Sequence, residues 1–175
     1  MNVIDRFLPE GTFDNLHTYM TSPQIPWVFN KHKVSKDEST SSFQFVHTFY
    51  KVYMPDANKP FNKRDLSPLD GIIIRLKPYI VLSVKANMTP RTAEPDKTDY
   101  HTDLPTTLQH QKTAILYFNT NNGYTEFEGG ETVESIANRL VIFDSSQRHR
   151  GVSCTDEKYR LVLHFNYIES PQFLV

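Results

Sequence analysis

Three side chains in this sequence can grip one metal ion. They are His101 and Asp103, in Tyr-His-Thr-Asp-Leu-Pro, and His149, in Gln-Arg-His-Arg-Gly-Val. Two imidazoles and one carboxylate, with coordination positions left open, form the donor set that holds non-haem Fe(II) for oxygen chemistry. In an extended segment, residues two apart share a face, so His101 and Asp103 point the same way and Thr102 points away. The third donor must come from elsewhere in the fold, and His149 is the candidate. His-x-Asp alone is a weak signal, because such short motifs recur by chance. The order and flanks of the other residues give it weight.

Arg160 opens the run Arg-Leu-Val-Leu-His-Phe-Asn-Tyr. Strand alternation puts Arg160, Val162, His164 and Asn166 on one face. A guanidinium among apolar strand residues is costly to bury without a partner. One solution is a rim arginine paired with Asp156 or Glu157. The other is a buried arginine whose partner is a bound dicarboxylate, which suits its planar fork. The second is expected here, because His149 lies just upstream on what reads as the adjoining strand.

Short strands must position these groups. Residues 113–119, 124–127, 132–135, 139–143, 149–153 and 159–167 alternate or run apolar, with turn signals such as Thr-Asn-Asn-Gly, Glu-Gly-Gly and 144–147 between them. That density predicts a sandwich or barrel. Upstream, the pattern predicts a helix near 11–20, a strand at 43–53 and a strand at 79–88. Between those strands, Ser67 reads as a cap and Pro68 as the first turn of a helix burying Leu69, Ile72, Ile73 and Leu76. Polar stretches 31–42, 54–65 and 89–99 read as loops. The last, just before His101, is either a lid or a plain connector. Strand–helix alternation and a glycine-rich phosphate loop are both absent, which argues against a nucleotide-binding fold.

The chain has 175 residues, 13% of them aromatic, enough for one domain with a packed β-rich interior. Nineteen basic residues against twenty acidic ones give a net charge of −1, so no global basic field points to nucleic acid. The lysines near 31–36 are interrupted by Asp37 and Glu38, and the basic residues near 59–64 are followed by Asp65. Cys154 is the only cysteine, which rules out an intrachain disulfide and fits a reducing compartment. The first ten residues do not read as a signal peptide, and no apolar run reaches membrane-spanning length. A cytoplasmic protein with no membrane partner is expected. His17, His32, His47 and His110 lack partner spacing and read as surface or core residues.

From about residue 81 to 167 the chain resembles the Fe(II)/2-oxoglutarate-dependent dioxygenases of the prolyl-hydroxylase-like group. The residues that carry the likeness are His101-x-Asp103, Tyr-Phe-Asn at 117–119, Gly129-Gly130, Asn-Arg-Leu-Val-Ile-Phe at 138–143, His149 and Arg160. Segments 45–50, 84–87, 119–125 and 153–156 also resemble a compact version common in tailed-phage and marine bacterial genomes.

The resemblance implies a mainly β protein: a double-stranded β-helix, or jelly roll, over 79–168, with 1–78 as a supporting segment that carries a few helices. It implies that His101, Asp103 and His149 hold Fe(II), and that Arg160 anchors the distal carboxylate of 2-oxoglutarate. Tyr117, Asn87 and His164 would belong to the co-substrate pocket, with Lys85 on the same strand as Asn87. O2 and 2-oxoglutarate would be consumed and succinate and CO2 released. The substrate would be a protein or peptide side chain or a small molecule. Collagen-type prolyl hydroxylases carry lysine at the Arg160 position, which sets this chain nearer other branches. Halogenase relatives lack the carboxylate that Asp103 supplies. Two competing functions are a nucleic-acid dealkylase on the same scaffold, disfavoured by the charge balance, and a non-enzymatic cupin-like binding module, disfavoured by the triad with Arg160.

Overall fold

The alternating second half of the chain forms strands that cross back and forth between two sheets. The computed structural model describes residues 1–31, 43–52, 66–105 and 109–170. Its strands are β1 (Asn2–Ile4), β2 (Val28–Asn30), β3 (Gln44–Lys51), β4 (Ile80–Pro90), β5 (Gln111–Tyr117), β6 (Tyr124–Phe127), β7 (Thr132–Glu134), β8 (Leu140–Asp144), β9 (His149–Val152) and β10 (Tyr159–Ile168). Two helices, α1 (Glu10–Met20) and α2 (Asp70–Leu76), accompany them. The large sheet runs β1-β8-β5-β10-β4-β3-β2 and the small one β7-β6-β9. Lys97 and His101 each form a single bridge to β9, at Val152 and His149, so this segment acts as a fourth strand of the small sheet. The architecture is the expected jelly roll with a few helices.

Both faces of the large sheet are covered. On one side α1 packs Phe13, Leu16 and Met20 against Val84, Ala86, Leu161, Leu163 and Phe165. On the other side Ile115, Tyr117, Val141 and Val162 meet Phe127, Val133 and Phe143 inside the barrel. This double burial explains why β10, buried from Arg160 to Tyr167, reads as a nearly continuous apolar run interrupted by a few polar residues.

Several boundaries differ from the sequence expectation. The strand expected to end at residue 88 runs on to Pro90, because Thr89 and Pro90 pair with Arg160 and Tyr159. Ser67 does not cap a helix; Ser67–Leu69 is one 3₁₀ turn with no side-chain cap bond, and α2 follows it. The N-terminal segment gives three strands to the large sheet. Two of these, β1 and β2, are three residues long and too short for a visible period. Residues 32–42 and 53–65, which include two of the expected loops, lie outside the described residues. The third expected loop is held down: Arg91 N–H donates to Lys158 O at 3.0 Å, Thr92 N–H to Cys154 O at 3.1 Å, and Asp96 N–H to Ser153 Oγ at 2.8 Å.

The strand of His149 does not adjoin that of Arg160. β9 pairs with β6, whereas β10 pairs with β4 and β5. β9 belongs to the small sheet and β10 to the large one, and both residues line the cavity between them.

One residue ties the N-terminal strand to the barrel. Asn138 adopts φ +62°, a conformation asparagine tolerates better than most residues. Its side chain accepts from Leu8 N–H at 2.9 Å and donates to Leu8 O at 2.8 Å. Asn138→Gly keeps the backbone conformation and removes both bonds. It is expected to cost about 1–3 kcal/mol, read as a lower urea midpoint with an unchanged slope.

Candidate metal and co-substrate site

The metal motif is assembled by backbone pairing. His101 N–H donates to His149 O and His149 N–H to His101 O, both at 3.0 Å, which locks the two imidazoles side by side with ring centroids 5.0 Å apart. Each ring is oriented from behind. His101 Nδ1 lies 2.9 Å from Asp99 O and His149 Nδ1 lies 3.2 Å from Gln147 O. A carbonyl can only accept, so each Nδ1 carries the proton and each Nε2 keeps a free lone pair.

Asp103 completes the group. Its Oδ1 is 3.9 Å from His101 Nε2 and its Oδ2 3.9 Å from His149 Nε2. These separations are too long for hydrogen bonds. The three donor atoms all lie within 4.8 Å of one another, which suits one ion held between them. His149 Nε2 is buried and has no hydrogen-bond partner among the described residues. An orphaned buried nitrogen is costly, and a metal ion would satisfy it. The residues therefore fit Fe(II), as the sequence leads one to expect.

The electrostatics keep every donor in its ligating form. Burial pushes His149 down to about 4 and also lowers His101, so both imidazoles are neutral at pH 7. Burial alone would raise the Asp103 carboxyl. The neighbouring His164, its hydrogen bond, His149 and Lys85 outweigh that and hold the carboxyl well below the usual range. Metal binding needs no proton to be displaced from such a set.

His164 lines the same cavity as Arg160, and its Nδ1 lies 3.0 Å from Asp103 Oδ2, so its polar contact is that carboxylate. It fixes which way that carboxylate faces.

Arg160 is 6% exposed. Its Nε–H donates to Ser135 Oγ at 2.8 Å and its Nη2 to Thr125 Oγ1 at 3.0 Å. Both acceptors are neutral, and among the described residues no carboxylate pairs with it. Asp156 instead accepts from Asn122 N–H at 3.0 and 3.1 Å, which excludes the rim pairing. Tyr117 is not a cavity wall. It is fully buried beneath Arg160, with its ring centroid 5.5 Å from the guanidinium carbon and its hydroxyl donating to Thr125 Oγ1 at 2.8 Å. Gly123 lets the arginine pack close, whereas a side chain on Gly151 would make only ordinary contact with it. A Cβ on Gly123 would meet Arg160 Cδ, Asn121 Oδ1 and Val152 O at 2.8 Å, and one on Gly151 would sit 3.5 Å from Arg160 Nη1.

One cavity joins the two groups, with Arg160 and Thr125 at one end and His101, His149 and His164 at the other. Val162 and Asn87 pair on the ladder between these ends and both line it. Asn87 Oδ1 is buried without a partner among the described residues. Thr125, Ser135 and Gly123 were not singled out from the sequence. A small residue on a strand carries no mark of what it touches. His17 and His47 stay outside the group: His17 stacks near Phe13 and Phe118, and His47 against Phe49. Cys154 is buried with its thiol against Glu157 O, and burial pushes its pKa up, away from nucleophilic use.

The fold is that of the 2-oxoglutarate/Fe(II) oxygenases. It is similar to a prolyl-4-hydroxylase from Pseudomonas putida, at 15% identity and TM-score 0.55, over 96% of this chain and 91% of that one. It is also similar to SnoN, the non-heme alpha ketoglutarate dependent epimerase from nogalamycin biosynthesis, at 10% identity and TM-score 0.61, over 96% and 76% of the two chains. An oxidoreductase of the 2OG-Fe(II) oxygenase family from Burkholderia pseudomallei aligns at 8% identity and TM-score 0.53, over 90% and 78%. No protein-family profile and no curated protein matches the sequence. At these identities the likeness is one of fold.

Two metal-binding outcomes are expected. His149→Ala abolishes tight Mn(II) binding, read by titration, while the thermal midpoint stays close to wild type. His164→Leu weakens Mn(II) by about 10–100-fold, whereas His164→Asn, which keeps a donor toward Asp103, recovers most of it. Equal affinities in all three variants and the wild type would remove these residues from the site.

Proposed function

We propose that this protein is an Fe(II)- and 2-oxoglutarate-dependent oxygenase that hydroxylates a protein or peptide side chain or a small molecule, releasing succinate and CO2. The observation that carries this reading is one cavity with two complementary deficits. Among the described residues, a buried guanidinium at one end has no anion and His149 Nε2 at the other has no partner. A 2-oxo dicarboxylate whose far carboxylate reaches Arg160 and whose 2-oxo acid end meets the metal relieves both.

Fe(II) supplies the activation of O2 when bound. The chain's own residues do the rest. Thr125 and Ser135 aim the guanidinium, Tyr117 supports it from below, and Asn87 lines the cavity between the arginine and the metal group. His164 holds Asp103 in its orientation. The buried barrel excludes water from the reacting groups. Asp103, close to both imidazoles, argues against halide occupying its position. The compact form of the family, to which segments 45–50 and 84–87 are similar, belongs to this proposal, as does a cytoplasmic setting. Among the described residues, no helix is long and apolar enough to cross a membrane.

Nucleic acid ranks below peptides and small molecules as substrate, on the charge balance of the chain. A cupin-like binding module ranks lower still, since it would have no use for an unpaired buried arginine. Oxygen uptake and succinate release with Fe(II), 2-oxoglutarate and panels of peptides, amino acids and methylated oligonucleotides test the ranking. Succinate coupled to oligonucleotide dealkylation would reverse it.

A buried charge-assisted pair is worth roughly 1.5–3 kcal/mol. Arg160→Ala is therefore expected to weaken 2-oxoglutarate by at least about tenfold and to leave Mn(II) affinity nearly intact. An unchanged co-substrate affinity would overturn the assignment.

A further inference from the structure

We infer that the substrate presents a carboxylate to Lys85, beside the metal group. The inference rests on the oxygenase reading above and names its substrate class.

Lys85 sits on β4 directly across the ladder from His164, the residue bound to Asp103. Arg160 pairs with Thr89 on the same ladder, four residues away. At about 3.4 Å per residue, the two rungs that carry these cations stand roughly 14 Å apart along the strand. They serve opposite ends of one cavity, and both line it. Lys85 is half-buried and makes no hydrogen bond or ion pair with any described residue, Asp103 included.

The charges in the cavity do not cancel without it. None of the described lining residues is a carboxylate, and Asp103 is the one anion of the metal group. Arg160 neutralises one carboxylate of 2-oxoglutarate. The two charges of Fe(II) neutralise the other carboxylate and Asp103. The Lys85 ammonium is left over, at the metal end, in a partly dehydrated position where an unpaired cation is unfavourable. An incoming carboxylate pairs with it and leaves the loaded cavity neutral. The flexible lysine stem suits a point contact with a small anion. Gln44 faces the same cavity and adds a neutral amide with both donors and an acceptor.

The test uses the full chain with Fe(II) and saturating 2-oxoglutarate, and reads succinate release. Probes come in matched pairs: free L-amino acids against their amides, and blocked peptides containing Asp or Glu against the same peptides with Asn or Gln. A methylated oligonucleotide is a further arm. At least one acid is expected to stimulate turnover about tenfold more than its amide. In Lys85→Gln that preference falls to about twofold or less, and in Lys85→Arg it is largely kept. Both variants should retain the wild-type KM for 2-oxoglutarate and the wild-type Mn(II) affinity, which also shows that they fold. The arm that responds tells whether a main-chain or a side-chain carboxylate is bound.

Amides as effective as acids would overturn the inference. So would a raised 2-oxoglutarate KM in Lys85→Gln, which would assign the lysine to the co-substrate. Stimulation by the oligonucleotide alone, or by no acid in a protein that binds Mn(II) and 2-oxoglutarate, would also overturn it. Failure of the wild type to bind 2-oxoglutarate at all would sink the oxygenase reading itself, and the two failures are thereby distinct.

Discussion

A guanidinium and a carboxylate are both buried inside this barrel, and the arrangement of the interior follows from the cost of keeping them there. Removing a charge from water is repaid only by good partners. Asp103 has them within the chain, in the His164 hydrogen bond and the cluster of imidazoles. Among the described residues Arg160 has only hydroxyls, with Tyr117 beneath it. The carboxylate is settled and the arginine is left wanting an anion. That asymmetry separates a site prepared for a ligand from one that merely stabilises a fold.

The ladder of β4 against β10 turns this electrostatics into geometry. Its inward rungs pair Arg160 with Thr89, Val162 with Asn87, and His164 with Lys85. Successive rungs thus carry the buried guanidinium, the cavity wall and the contact to the Asp103 carboxylate. The opposite wall comes from the small sheet, where His101 and His149 are locked together by two backbone hydrogen bonds. The metal group thus sits on the small-sheet wall, and His164 reaches Asp103 from the large sheet. Packing of Phe127 and Phe143 against the His149 ring fills the space behind it and keeps water away from the imidazole.

Protonation follows from the same burial. Desolvation keeps the histidines neutral, and the surrounding partly positive groups keep Asp103 ionised. A site exposed to solvent would need the metal to compete with protons. Here the fold has already chosen the ligating forms, and the segment before the motif, pinned to residues 153–158, keeps His101 from swinging out.

The sequence by itself pointed to His101, Asp103 and His149 as a group, to the strand-rich class and to the face that Arg160 shares with His164. Each of these depends on residue type and on a period of two, which local chain geometry enforces. It also placed β6 and the helix α1 nearly to the residue, because a sharp turn or a helical stripe bounds each. It misplaced His149 relative to Arg160, because strand order between sheets is not written in any period. It put Tyr117 in the wall of the co-substrate pocket, where the fold buries Tyr117 under the arginine; His164 lines the cavity with Arg160 and also contacts Asp103. Only the tertiary structure decided that Thr125, Ser135 and Gly123 pack on Arg160, and that Lys85 and His149 Nε2 find no partner among the described residues. These facts depend on which side chains meet across the barrel. Such meetings are set by the pairing of distant strands, and the free energy that selects them is shared over the whole core rather than held in any local stretch of sequence.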